Sequence, residues 1–280
     1  SVLLLRRAGI AWWCIAVGLT GPAAMWNLYL GQFGLLCGAL LVAGLSAVAT
    51  RPVRSGGFLA MLCIKPQYAL LVPAVVFAGR YWRTMLAGLV GLFALLALSL
   101  PLGGPGVWAE YLGPGRAAMR NLLVQPFGAY EVMGTSVLWM ARSFGASLGA
   151  AYATQGLVSV LAALAVWRLW QSPVADPARR LAMTVFLTLL ASPYGFTDDL
   201  AIYSVLLPTL AVRGAPWRNA LLAWLWVAPA LVPKFVAVFG FLPTPLLLVS
   251  ALVLAGPALS RSGLAQQKQS LLTEQIGQSG

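Results

Sequence analysis

Residues 84–100, TMLAGLVGLFALLALSL, carry no charge, and comparable apolar runs recur along the chain, separated by single arginines or arginine pairs. About 20 consecutive apolar residues cross a hydrocarbon core as a helix. A soluble domain has no such use for them. Of the 280 residues, 60% are hydrophobic and 9% charged, and the wetted outside of a soluble fold cannot be built from so few polar groups. The expected fold is all-α, a polytopic transmembrane helical bundle.

The formal charge of +12 would suggest nucleic acid in a soluble protein. Here Arg6-Arg7, Arg51/Arg54, Arg80/Arg83, Arg179-Arg180 and Arg213/Arg218 fall between the apolar runs, as in cytoplasmic loops under the positive-inside rule. The charge therefore reports topology, and no nucleic-acid partner is expected; membrane lipids are. Cys14, Cys37 and Cys63 lie in apolar runs without metal spacing and read as small hydrophobes. Histidine is absent, which removes imidazole acid–base chemistry and the commonest zinc ligand. Phosphate-binding glycine loops, nucleotide-binding βαβ units and metal clusters are not found either, so neither cofactor nor metal is expected, and an enzyme of this kind would take its donor from the bilayer. The opening SVLLL looks like the tail of an earlier helix with no recognisable signal, and the chain is expected to be incomplete at this end.

Apolar runs, Pro/Gly breaks and arginines together place spans at 8–19, 33–49, 83–102, 150–170, 181–191, 198–212, 217–232 and 235–259, with GPAAMWNLYLGQ as a loop after the first. The segment 56–79 has arginines at both ends and Lys65-Pro66 in its middle. A re-entrant hairpin with Lys65-Pro66 at its tip keeps both arginine clusters on one side, and Pro66 interrupts the helical ladder there. Residues 101–136 form a long outer loop rich in Gly, Pro and aromatics, and 136–144 a short amphipathic piece. Residues 1–259 are one transmembrane domain; 260–280 are polar and expected to be disordered. With the arginines inside, NLYLGQ, the Lys65 tip, the long loop and SPYGFTDD all reach toward the outer face.

Asp198 and Asp199 stand out among only six acidic residues. Thr197 is expected as an N-cap with the two carboxylates favouring the helix dipole; alternatively a carboxylate faces a polar cavity, where it orients a hydroxyl or acts as a base. Helical neighbours point about 100° apart, so the two are not expected to serve one ligand. Lys65 either snorkels or holds a phosphate as a point charge; the constrained tip favours the second. Asn27 and Gln32 are amides at the mouth of a span, where backbone bonding at a helix start suffices to explain them. Arg116 and Arg120, four residues apart, would share a helical face and meet lipid headgroups or a substrate phosphate.

The ordered set NLYLGQFGLLCGALLVAGL, RPVRSGGFLAMLCIKPQYALLVPAVVFAGRYWRTMLAGL and LASPYGFTDDLAIYSVLL resembles glycosyltransferase family 87, a GT-C-type membrane family that includes polyprenyl-phosphate-mannose-dependent mannosyltransferases. The resemblance implies a GT-C bundle in a bacterial plasma membrane, active face periplasmic. It implies transfer of a hexose, mannose first, from a polyprenyl-phosphate sugar donor to a lipid or glycan acceptor. Lys65 would lie near the donor phosphate; Asn27, Gln32, Gln67, Tyr194 and the turn from Ser192 to Asp199 would line the cavity; Arg116 and Arg120 would assist. Asp199 matches the last acidic position of the family's S-P-Y pattern, whereas Thr197 departs from it and the mannosyltransferases' histidines are missing. GT-C enzymes place an essential Asp in their first external loop, which would precede Ser1, so Asp199 and Asp198 are expected to be auxiliary. A transporter or lipid flippase, which also uses broken helices, and a non-catalytic lipid-sugar-binding paralogue are the rival readings.

Overall fold

The computed structural model describes residues 1–115, 117–118, 121, 131–172 and 176–256. Among these, the structure is built of helices joined by short turns, and a single antiparallel bridge, Gly134 to Phe196, is the one β-type pairing found. The expected tail (260–280) and residues 116, 119, 120 and 122–130 of the outer loop, which include Arg116 and Arg120, lie outside the described residues.

The helices are α1 (Val2–Arg7), α2 (Trp12–Leu19), α3 (Pro22–Tyr29), α4 (Gly34–Ala47), α5 (Pro52–Ala60), α6 (Val72–Gly79), α7 (Trp82–Glu110), α8 (Val137–Ser143), α9 (Leu148–Gln171), α10 (Pro177–Ala191), α11 (Leu200–Leu206), α12 (Pro216–Val227), α13 (Val232–Phe239) and α14 (Thr244–Gly256). Proline opens α3, α5, α6, α10, α12 and α13 within their first two positions, where its missing N–H costs nothing. Ser136, Ser147 and Asp176 cap α8, α9 and α10 through side-chain oxygens, each satisfying orphan N–H groups of a first turn.

Among the described residues, two helical stretches, Trp82–Gly115 and Leu148–Gln171, are long and apolar enough to cross a membrane, and up to four if the bent pairs α3/α4 and Pro216–Ala230/α13 each count as one span. Several expected spans divide differently. The expected loop after the first span contains α3, folded back on α4 by 117°; its Pro22 starts a helix rather than ending one. Helix α7 runs past Leu102 to Glu110, through Pro101 and Pro105, with its kink at Gly104 (φ 73°). The expected return span 198–212 holds only α11, whose seven residues are all buried, and Pro208 lies in the 3-10 turn that follows. The expected span 235–259 breaks at Gly240 (φ 74°) into α13 and α14. In each case the run is apolar on both sides of the break, so hydropathy cannot separate one long helix from two short ones.

The excursion around Lys65 has the expected arrangement of its ends. Thr84 donates to the Val48 carbonyl at 2.9 Å; Gly56 faces Ala87 and Gly88, and Gly91 faces Ala60. Increasing numbers on α5 thus meet increasing numbers on α7, and the two helices run parallel. Since α6 ends where α7 begins, Arg51/Arg54 and Arg80/Arg83 lie at one end and Lys65 at the other. A Cβ on Gly56 would approach the Gly88 backbone nitrogen to 2.5 Å, so glycine sets how closely these helices pack. The same end carries Trp170, whose ring meets Tyr81 edge-on at 6.2 Å and lies 4.7 Å beneath the Arg180 guanidinium.

Candidate functional site

At the end opposite the arginines, three breaks in helical structure meet: the bend between α3 and α4, the extended residue Lys65 between two 3-10 turns, and the turn from Ser192 to Asp199 between α10 and α11. Each break leaves backbone groups without intrahelical partners, and burial requires that they be paired. Some of the pairing groups are polar residues singled out by the sequence, such as Asn27 and Asp199, and others, such as Tyr68, are not.

Lys65 Nζ lies 2.6 Å from Asp198 Oδ2 and 2.8 Å from Asp199 Oδ1. The carboxylates are almost fully buried, at 5% and 1% side-chain exposure, while the lysine side chain keeps 15%. The two aspartates therefore do share one partner, against the expectation from helical geometry. They occupy a 3-10 turn (Thr197–Asp199) rather than an α-helical one, and the long lysine side chain reaches them from another element. The N-cap assignment also changes. Thr197 Oγ1 donates to the Met133 carbonyl at 2.9 Å, and it is Asp199 Oδ2 that accepts from the Phe196 backbone N–H at 3.1 Å. Asp199 is thus both a cap and an ion-pair partner.

Around this pair, Asn27 Nδ2 donates to the Asp198 carbonyl at 3.3 Å. The buried Tyr68 hydroxyl has the Gly34 carbonyl and Asp199 Oδ1 at 3.1 Å and the Asp199 carbonyl at 3.3 Å; its single proton is shared among these acceptors. A Cβ on Gly34 would lie 2.4 Å from the Asp198 carbonyl oxygen, so the first residue of α4 must be glycine for the turn to seat against it. Thr135 N–H donates to the Gly195 carbonyl at 2.9 Å. Through these contacts the structure gathers all four segments expected at one face: the α3 mouth, the Lys65 tip, the end of the long loop, and SPYGFTDD.

Two carboxylates facing one ammonium leave one negative charge in excess. The lysine has three donor hydrogens, and these contacts occupy two of them. The cluster can therefore orient a hydroxyl through a carboxylate oxygen, or offer the remaining N–H to an anionic oxygen.

The other expected site residues are distributed around it. Gln67 follows Pro66, half-buried, in the turn carrying Lys65. Gln32 is exposed at the α3–α4 bend, its backbone N–H bonded to the Asn27 carbonyl at 3.0 Å. Tyr194 meets the Tyr152 hydroxyl at 2.8 Å, which ties the turn to α9. Sequence reasoning missed Tyr68, although three residues after Lys65 in a 3-10 turn is the spacing that shares a face. It also missed Gln155, an amide inside an apolar helix, which is the signal to look for. Gln155 accepts from Leu138 N–H at 3.0 Å and donates to the Leu190 and Ala191 carbonyls at 3.1 and 3.0 Å, fixing the end of α10 that launches the turn.

Bent apolar helix pairs packed around a buried charge cluster define a multi-pass helical membrane protein with a polar site at a junction of broken helices. Residues 1–193 match the model of glycosyltransferase family 87, and the chain belongs to that family. It is thus a membrane protein of glycosyltransferase class. The match includes Asn27, Lys65 and Tyr68 and stops before Asp198 and Asp199, which join the site through their contacts with those residues. No curated protein and no solved structure matches the chain.

Proposed function

We propose that this protein transfers a hexose, mannose first among candidates, from a polyprenyl-phosphate sugar to a lipid or glycan acceptor at the periplasmic face of a bacterial plasma membrane. The observation that carries this reading is the Lys65–Asp198–Asp199 cluster at the meeting of three broken helices, in a chain of this family. An acceptor hydroxyl loses its proton to a carboxylate and its oxygen forms a bond to the anomeric carbon. The bond from that carbon to the phosphate oxygen breaks, and its electron pair leaves with the polyprenyl phosphate. The remaining N–H of Lys65 is directed to the leaving phosphate, with Arg116 and Arg120 as further cations. Asp198 and Asp199 are auxiliary: they hold Lys65 in place and orient the acceptor. Asn27, Gln32, Gln67 and Tyr194 line the cavity.

One observation favours a second reading. The segment Pro52–Ile64 rises about 20 Å at 1.5 Å per residue, short of the roughly 30 Å hydrocarbon thickness. Lys65 then lies within the depth of the bilayer, where transporters and flippases build their sites. Reconstitution of the full-length protein with a labelled polyprenyl-phosphate hexose separates the two. Label appearing on an acceptor is transfer; label moving between leaflets with its lipid intact is translocation and would overturn the first reading.

A further inference from the structure

The helical stretch that begins with α7 is longer than a bilayer is thick. From Trp82 to Gly103 it rises about 33 Å at 1.5 Å per residue, the whole of a hydrocarbon core of roughly 30 Å. It starts beside Arg80 and Arg83, so Gly103 and Gly104 reach the opposite surface. The helix bends at that point. Gly104 takes φ 73°, a left-handed conformation open to glycine, and Pro105 restarts the helix where its missing N–H does no harm.

One contact fixes the direction of the bend. Trp108 Nε1–H donates to Ser99 Oγ at 3.0 Å. The two residues are nine apart, which is about 13 Å along a straight helix and beyond the reach of an indole toward a serine. The segment after Gly104 therefore folds across the end of the one before it, and its tryptophan face looks back toward the hydrocarbon. Val107 lies four residues before Tyr111 and Trp108 four before Leu112, so all four share that face. The Trp108 and Tyr111 rings meet edge-on at 6.2 Å, and Val107, Tyr111 and Leu112 are each more than half exposed. Glu110 points about 130° from the centre of the apolar face, at 3.6 residues per turn. Exposed apolar side chains below Gly104 need only lipid tails. Those above it stand past the length of the hydrocarbon and need another apolar contact.

We propose that residues 105–115 lie along the leaflet surface opposite the arginine end as an amphipathic interfacial segment. Val107, Trp108, Tyr111 and Leu112 sit in the boundary between headgroups and acyl chains, and Glu110 faces water. The partner is the lipid surface itself. Tryptophan and tyrosine suit this depth, where an apolar ring and a polar tip each find a matching solvent. Such a placement holds whether the chain transfers sugar or moves lipid. It moors the start of the outer loop at the membrane, while Met133 and Thr135 at the loop's far end are bonded to the aspartate turn.

The test is electron paramagnetic resonance of the full chain in phosphatidylcholine nanodiscs, with the native cysteines replaced by alanine. A nitroxide is attached in turn to Val107→Cys, Glu110→Cys and Leu112→Cys, and to Phe93→Cys on the exposed middle of α7 as the hydrocarbon reference. Collisions with oxygen, which concentrates in hydrocarbon, are compared with collisions with a water-soluble nickel chelate. Labels on Val107→Cys and Leu112→Cys should meet mainly oxygen, at a depth of about 5–10 Å below the headgroups, and the label on Glu110→Cys mainly nickel. Nickel dominating at all three positions would put the segment in water, and oxygen dominating at all three would submerge it. Few collisions with either reagent at Val107→Cys and Leu112→Cys would mean that protein covers the face. Each of these three results overturns the interfacial placement.

Discussion

Lys65 is held by two nearly buried carboxylates, and this changes how its substitution must be read. Removing one member of a buried ion pair costs about 3–5 kcal/mol, because the remaining charge loses its compensation. Lys65→Ala should therefore unfold far below wild type in a thermal melt, and its loss of activity alone says nothing about phosphate. Replacing the whole cluster, as Lys65→Met with Asp198→Asn and Asp199→Asn, removes the charges together and should restore most of the midpoint. A triple variant no more stable than Lys65→Ala would contradict the account of the cluster. Asp198→Asn is the gentler probe. It leaves a neutral Lys65–Asp199 pair, removes the excess negative charge beside the proposed donor-phosphate position, and should lower the donor KM while slowing turnover about tenfold or more; a raised KM would count against a phosphate at Lys65. The prominence of Asp198 and Asp199 was legible in the sequence, since acidic residues are so few. Their shared partner was not: Lys65 is 133 residues from Asp198, and a 3-10 turn has no periodic signature in three residues.

Helices α4, α10 and α11 carry the site on close contacts that glycine permits. Gly34 would place a Cβ 2.4 Å from the Asp198 carbonyl oxygen, and Gly38 would place one 2.3 Å from Ile202 Cβ. Overpacking costs about 1–3 kcal/mol, and a backbone neighbour gives way less readily than a side chain. Gly34→Ala is expected to lower the unfolding midpoint and to cut transfer with it, because it pushes Asp198 off Lys65. Gly57→Ala on α5, with open space at its Cβ, should instead gain up to about 1 kcal/mol of helix propensity. Equal effects of the two substitutions would show that the α4–turn contact is not what positions the cluster. Most apolar segments were readable as helices. Their breaks were not, because α11 and much of α10 are buried all round and lack a polar face to mark a helix's limits. The Lys65 excursion was readable because charges flank it: arginines at both ends and a proline in the middle constrain a path that hydropathy alone leaves open.

At the scale of the whole molecule, one end is basic and the other gathers the chain breaks. This polarity follows from the positive-inside pattern and predicts sidedness. In a background with the native cysteines replaced by alanine, Arg54→Cys and Arg83→Cys should both react with an impermeant thiol reagent from the cytoplasmic side. Reaction from opposite sides would make 56–79 a crossing rather than an excursion. The gathering of the four segments at one end was anticipated from arginine positions, while their mutual bonding through Asn27, Tyr68, Met133 and Thr135 emerged only from the packed structure. The central claim is that this junction is where sugar leaves a lipid phosphate. Its most direct test is the rate at which full-length protein in liposomes moves labelled hexose from polyprenyl phosphate to acceptor, compared with the Lys65→Met, Asp198→Asn, Asp199→Asn variant at matched folded amount. The account predicts transfer by the wild type and a loss of about a hundredfold or more in the folded variant; transfer by that variant at the wild-type rate would contradict it.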